Sequence, residues 1–328
     1  MRDHGGDLDR ARAAFGGTDW VDLSTGINPV PYPVPDVARR AYTALPTHAD
    51  IAALEHVAAQ CYGAQVPVAA LGGAQAVIQL VPRLRRVGAA AVLAPTYNEH
   101  AAALRDQGWA VREVDDLPAL TGAEIAVIVN PNNPDGRSWT PDALAELSAQ
   151  VGLLVVDESF ADPHPELSMV PQLRQCGDRA LVLRSFGKFY GLAGLRLGFA
   201  IGGEATIAKL RALAGPWAVN GPAIAIAGDA LANTEWRKET AKRLSRDAAR
   251  LDALAACAGW QLVGGTALFR TYAMEDATAA QTNLARARIW TRVFPYSKHW
   301  LRIGLPGPES AWGRVERALS SRRVAPTL

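Results

Sequence analysis

At 328 residues, with 49% apolar and 20% charged positions, the chain is long enough for one large domain and a smaller one and has the balance of a soluble globular protein. Lys and Arg number 34 against 32 Asp and Glu, a formal charge of +2, which gives no electrostatic reason to expect nucleic acid or an anionic membrane as partner. Cys61, Cys176 and Cys257 are widely spaced and form no CxxC or zinc pattern, the first residues lack a signal-peptide core, and no run approaches the ~18 apolar residues of a membrane helix. The expectation is therefore a cytoplasmic protein with unpaired thiols and no metal.

Residues 1–44 show little periodicity and many turn formers, Gly26-Ile27-Asn28-Pro29 and then Pro31, Pro33 and Pro35, which predicts an arm draped over a larger body. Within it His4-Gly5-Gly6 and Asn28 are candidate ligand contacts, set against the plainer reading of a flexible terminus. The spacing of Ile51, Leu54, Val57, Ala58 and Cys61 predicts a helix over 50–62, ended by Gly63. Ala69 to Leu71 then predicts a short strand, Gly72-Gly73 a turn, and Ala74 onward a helix running towards Leu84. A helix that opens directly after glycines presents unbonded N–H groups, here those of Ala74 and Gln75, to an anion such as phosphate. The spacing is not GxGxxG and no GxxxxGK[ST] occurs, so neither a dinucleotide site nor a P-loop is indicated.

Beyond this turn, strands and helices alternate. Strands are predicted at 90–94, 110–114, 125–129, 153–156 and 180–183, with helices at 99–107 and after Thr140, where Thr140 is the N-cap and Pro141 the first helical residue. Continuous apolar strands among helices predict an α/β fold with a mostly parallel sheet covered on both faces. Ligand-binding groups then gather just past strand carboxyl ends.

Four residues stand at such ends: Tyr97, Asn133 in Asn130-Pro131-Asn132-Asn133-Pro134-Asp135-Gly136, Asp157 and Lys188. Singly, they read as a surface tyrosine, a turn asparagine, a capping aspartate and a loop lysine. Lys188, however, lies among glycines, with Ser185 three residues before it and Arg196 eight after. A lysine in a confined site that favours its neutral amine can form a Schiff base, and a fixed hydroxyl and cation suit a phosphate beside it. An aromatic face to stack (Tyr97), an amide for a ring hydroxyl (Asn133), a carboxylate to keep a pyridine nitrogen protonated (Asp157), the lysine, and phosphate donors at Ser185, Arg196, Ala74 and Gln75 together suit pyridoxal 5'-phosphate.

A helix over 204–213 and the stretch 214–220 are expected to close the large domain, and a charged helix over 234–256 leads on to shorter strands at 261–263, 267–272 and 300–303 and a helix over 311–320. The divisions predicted are an N-terminal arm, 1–44, a large cofactor-binding domain, 45–225, and a small α+β domain, 226–328.

With Ser185, Lys188, Arg196, the Asn133-Pro134-Asp135-Gly136 turn, Asp157-Glu158-Ser159-Phe160 and Leu301-Arg302-Ile303-Gly304 in this order, the chain resembles the aspartate-aminotransferase superfamily, the type I fold of pyridoxal-phosphate enzymes. His4-Gly5-Gly6, Ser24 to Pro29, Phe160, Pro216 to Asn220 and Arg288 to Arg292 resemble the branch that holds the threonine-phosphate decarboxylases of cobalamin biosynthesis, with histidinol-phosphate aminotransferases as near relatives. The resemblance implies a homodimeric carboxy-lyase acting on a phosphorylated amino acid, whose two anions Arg292 and Arg302 bind, with His4 and Asn28 as further contacts. It leaves open an aminotransferase on histidinol phosphate or a similar phosphorylated amine, and a non-catalytic scaffold that kept the fold. Two departures stand out. Phe160 replaces a tyrosine of many members, leaving Asn133 alone on the ring oxygen, and Leu45-Pro46 replaces a Tyr-Pro pair whose tyrosine reaches the partner's cofactor phosphate, so that this contact is either missing or supplied otherwise, with His48 as the candidate.

Overall fold

Seven strands form the sheet of the larger unit, in the spatial order Val68–Leu71, Gly198–Gly202, Ala180–Ser185, Leu154–Asp157, Ile125–Val129, Ala89–Leu93 and Ala110–Val114. The structure, a computed structural model, describes residues 4–320. Gly198–Gly202 pairs antiparallel with both neighbours, and every other adjoining pair is parallel. Ile125–Val129 and Leu154–Val156 are buried throughout, as strands covered on both faces must be. Each fully buried Val, Leu or Ile side chain contributes about 1.5–3 kcal/mol, so the apolar runs take the central places. The α/β fold with a mostly parallel sheet, expected from the strand pattern, is what the chain adopts.

At one helix start the local signal acts as the sequence predicts: Thr140 caps Pro141–Ser148 through the Ala143 N–H. The helix expected over 50–62 begins two residues earlier, as His48–Tyr62, because Thr47 and Asp50 make a reciprocal capping box there. Two elements of this unit carry no such signal. Gly198–Gly202 is bounded by glycines, and Gly221–Ala232 begins Gly-Pro, which reads as a turn; yet Asn220 caps that helix through the Ala223 N–H and Pro222 lies in its first turn.

The smaller unit has a four-stranded antiparallel sheet, ordered Arg292–Phe294, Ser297–Gly304, Phe269–Ala273 and Gln261–Thr266. Residues 1–44, read as an arm short of regular pattern, contain the helix Leu8–Phe15, capped by Asp7, and the strand Val21–Asp22, which pairs parallel with Ile289–Trp290. The helix is too short to show periodicity, and it is held by aromatic contacts. Phe15 and Trp20 each bring a ring to within 6.4 Å of Trp290's, and Trp20 meets it edge-on.

The larger unit comprises Tyr32–Asn133 and Arg137–Lys238, and the smaller one comprises residues up to Pro31, Pro134–Gly136, and Glu239 onward. The divisions expected at 44/45 and 225/226 thus fall instead at 31/32 and 238/239. The cause is aromatic: Trp236, in the first turn of Thr234–Cys257, stacks on Tyr190 with centroids 5.5 Å apart and meets Tyr32 at 5.1 Å, which keeps both ends of the segment with the larger unit. Pro134–Gly136 is built into the smaller unit: Thr271 Oγ1 donates to Pro134 O at 2.5 Å, and Gly264 and Gly265 leave room that a Cβ would close. Among the described residues no helix is long and apolar enough to cross a membrane.

Candidate active site

Lys188 stands on a four-residue helix, Phe186–Phe189, that follows the strand Ala180–Ser185 directly. Gly187 allows that tight turn, since a Cβ there would lie 2.7 Å from Ala193 Cα. Phe186 stacks on Tyr190 at 4.3 Å, and Phe189 meets Trp236 edge-on at 5.6 Å. Contacts of this kind contribute about 0.5–1.5 kcal/mol each and hold the lysine's backbone in place. The side chain is half-buried, with Nζ 5.8 Å from the centre of the Phe160 ring.

Asp157 ends the neighbouring strand, paired with Leu183 on one side and Val129 on the other. Its Oδ1 accepts from Ser159 N at 2.9 Å and from the Ser159 hydroxyl, and its Oδ2 lies 2.8 Å from His100 Nε2. Burial alone would push this carboxyl up, but the bond and charge of His100 and the two bonds from Ser159 outweigh it and hold Asp157 below the usual carboxylate range. An ionised carboxylate offers about four lone-pair positions. With three engaged, Asp157 keeps room for one further donor.

His100 joins the candidate site through Asp157 and is not betrayed by the sequence. It lies on Glu99–Asp106, three residues after Tyr97, and reads there as an interior helix residue. The available signal was the Tyr97-x-x-His100 spacing, which puts both on the same side; their rings meet edge-on at 6.1 Å. Arg184 was missed as well. It binds Glu158 at 2.7 Å and Asp162 at 3.1 Å, and so ties the loop that follows Asp157 to the strand that precedes Lys188.

The two asparagine-proline turns are braced by their other asparagines. Asn130 bonds the backbone of Trp139 and Leu167, while Asn132 accepts from the Thr96 hydroxyl at 2.6 Å and donates to Pro95 O at 2.9 Å. The turn that carries Tyr97 and the turn that carries Asn133 are thereby fastened together, with Asn133 buried.

Ala74 and Gln75 open the helix Ala74–Leu80, after Gly73 at φ 91°, where the first N–H groups have no intrahelical acceptor. A Cβ at Gly73 would lie 3.1 Å from Arg196 Nη2, and one at Gly198 would overlap Ala74 N. Gly198 is the strand partner of Ser185, whose side chain makes no capping bond to its own helix. Arg196 thus lies beside Gly73 at the start of this helix, and Ala74 N packs on Gly198, the strand partner of Ser185. Lys188, Asp157, Asn133, Tyr97, Ser185, Arg196, Ala74 and Gln75 all belong to the larger unit.

The candidate substrate residues belong to the smaller unit. Arg292 and Arg302 are direct cross-strand neighbours. Arg302 is buried, donates from Nη2 to Ser24 O at 2.6 Å and lies 5.0 Å over the Phe269 ring; Arg292 lies 5.2 Å over Phe294. His4 is exposed, and the glycines after it touch the same Ser24, whose hydroxyl accepts from Gly6 N at 2.7 Å. Asn28 is buried, and its side-chain oxygen already accepts from Val30 N at 3.0 Å and Arg243 Nη2 at 2.6 Å, the bonds of a turn brace. His48 is exposed at the start of its helix and borders an apolar cavity of about 570 Å³ that Trp217 also lines.

The family model for aminotransferase class I and II matches residues 18–319. The chain belongs to that family. It is 42% identical over 330 residues to a threonine-phosphate decarboxylase of Pseudomonas aeruginosa, with 97% of each chain covered. To a histidinol-phosphate aminotransferase of Geobacter sp. it is 29% identical over 312 residues, with 88% of each covered. Its fold superposes on the crystal structure of histidinol-phosphate aminotransferase from Sinorhizobium meliloti in complex with pyridoxal-5'-phosphate at a TM-score of 0.79, covering 98% of this chain and 95% of that one; at 19% identity the likeness is one of fold. The residues present fit that cofactor. Asp157 has one acceptor position for a ring nitrogen, and the first N–H groups of Ala74–Leu80, with Arg196 beside Gly73, are donors suited to a phosphate.

Proposed function

We propose that the chain is a pyridoxal-phosphate-dependent carboxy-lyase that converts L-threonine O-3-phosphate to (R)-1-amino-2-propanol O-2-phosphate, in cobalamin biosynthesis. One observation carries the choice of reaction: the likeness to the Pseudomonas aeruginosa decarboxylase, 42% identity, runs through 97% of both chains. When bound, pyridoxal phosphate supplies an electrophilic aldehyde and a ring that withdraws charge from the substrate's Cα. Lys188 would hold the aldehyde end and, as an amine, would carry the proton that the substrate's Cα needs when carbon dioxide is lost. Asp157, kept ionised by His100 and Ser159, holds a proton on the ring nitrogen.

Tyr97 supplies the stacking face and Asn133 the bond to the ring hydroxyl; Phe160 has no hydroxyl to share that task. Ser185, Arg196 and the Ala74 and Gln75 amides hold the phosphate. Arg292 and Arg302 are direct cross-strand neighbours, two cations that suit two anions. A substrate with a carboxylate and a phosphate offers both, and a planar guanidinium grips either in two-point geometry. His4 and Asn28 stand as neighbouring contacts in this reading. The exposed Tyr42, Leu45 and Trp217, near His48 and its apolar cavity, support a face covered by a second copy, and three unpaired cysteines suit the cytoplasm.

The test is to incubate the purified protein, loaded with pyridoxal phosphate, with phosphothreonine and to measure carbon dioxide. Release of carbon dioxide with formation of the amino alcohol phosphate is expected. A 2-oxo product with pyridoxamine phosphate, from phosphothreonine or histidinol phosphate, would assign an aminotransferase instead. Bound cofactor with no turnover of either substrate would leave a scaffold.

A further inference from the structure

The side chain of Gln75 sits in a chain of bonds that the cofactor reading does not use. Glu99, 5% exposed, opens the helix Glu99–Asp106 and accepts from Gln75 Nε2 at 3.0 Å. Gln75 Oε1 in turn accepts from the Tyr97 hydroxyl at 3.2 Å. Donor chemistry fixes the order: a carboxylate accepts, so the amide nitrogen faces Glu99, its oxygen is left for Tyr97, and the tyrosine proton points towards it. At its other side the Tyr97 ring rests edge-on against His100, at 6.1 Å and 83°, and His100 is bonded to Asp157. The ring is thus pinned at its hydroxyl and at its flank.

We infer that the Gln75 side chain, held in orientation by Glu99, is a positioning residue that sets the tilt of the Tyr97 ring. The inference rests on the reading that Tyr97 faces the cofactor. It gives Gln75 two tasks, its amide N–H on the phosphate and its side chain on the ring that stacks above the pyridine. Binding at one end of the cofactor is thereby tied to ring placement at the other. A tyrosine without this tether would keep its contact area but turn about its χ angles, and pre-orientation is what a stacked contact needs to be strong.

Gln75→Leu, Tyr97→Phe and the double variant test this in the full chain, by the dissociation constant for pyridoxal phosphate and by the visible circular dichroism of the bound cofactor, which reports its orientation. Each single variant should bind the cofactor about tenfold more weakly, the effect of one buried hydrogen bond, with a diminished dichroic band. The double variant should be no worse than the weaker single. Losses that multiply in the double variant, or a Gln75→Leu protein with the unaltered band and affinity, would overturn the proposal. Should Gln75→Leu not fold, Glu99→Gln decides. With either end of the Gln75 amide then able to face residue 99, the orientation is released and a smaller loss of both signals is expected; an unchanged band refutes the tether. Wild-type protein that binds no pyridoxal phosphate would instead sink the functional reading, whatever the variants do.

Discussion

Replacing Asp157 by asparagine alters one end of a carboxylate that is nearly fully engaged. With its oxygen at the Ser159 end, the amide keeps both bonds from Ser159, to the N–H at 2.9 Å and to the hydroxyl. At the other end a donor replaces the oxygen that now lies 2.8 Å from His100 Nε2 and holds the open acceptor position. The ring nitrogen of the cofactor then faces an N–H group and loses a charge-assisted hydrogen bond, of about 1.5–3 kcal/mol. At about 1.4 kcal/mol per factor of ten, turnover should fall about 10- to 150-fold. Stability should change less, because the strand and the Ser159 turn keep their bonds. The assay is the initial rate of carbon dioxide release from phosphothreonine at saturating pyridoxal phosphate, with thermal unfolding of the same sample as control. A folded, cofactor-bound variant within about threefold of wild-type turnover would refute the role given to Asp157.

Lys188→Ala should lose both the visible absorbance and the borohydride-reducible attachment of the cofactor; attachment that persists places the reactive lysine elsewhere. His100→Phe should make cofactor retention sensitive to mild acid. Asp157 sits below its ordinary value in the folded protein, so its stabilising effect is present above that ordinary value and lost as pH falls through the lowered one. Without His100, burial dominates, the folded value rises and the loss moves up in pH; dialysis at about pH 5 followed by absorbance checks it, and retention equal to wild type would contradict it. Arg302→Ala should raise the KM for phosphothreonine far more than it weakens pyridoxal phosphate binding, and titration of both ligands would expose the reverse. Gly198→Ala, whose Cβ would overlap Ala74 N, should weaken pyridoxal phosphate and destabilise the protein by about 1–3 kcal/mol, read by calorimetry; an unperturbed variant would mean that the space beside Ala74 is not tight.

Much of the site was legible because a strand buried on both faces has little freedom in composition. Ile125–Val129 announces itself as an apolar run, so the polar residue that breaks each such run falls at its carboxyl end, which is what makes Tyr97, Asn133, Asp157 and Lys188 candidates. His100 was not legible, because a helix residue that faces inward looks the same whether it meets a leucine or a carboxylate. The Gln75 side chain was hidden by its own backbone, which already had a task. Gly198–Gly202 failed as a strand from the sequence because its glycines answer to Ala74 and its neighbours, contacts remote in the chain. The helix Leu8–Phe15 depends on Trp290, which is likewise remote.

That the smaller unit is assembled from three separated pieces of chain bears on how the protein is made. Ser24 must await Arg302, a residue 278 positions later, so at roughly 5–20 residues per second the newborn front end spends many seconds without the strands that will receive it. The sheet from Val68 to Gly202, by contrast, is complete before Arg302 is made. Phe15 and Trp20 likewise await Trp290 through the synthesis of all the residues between them. By the same logic, no single cut of the gene yields the smaller unit as a self-standing fragment.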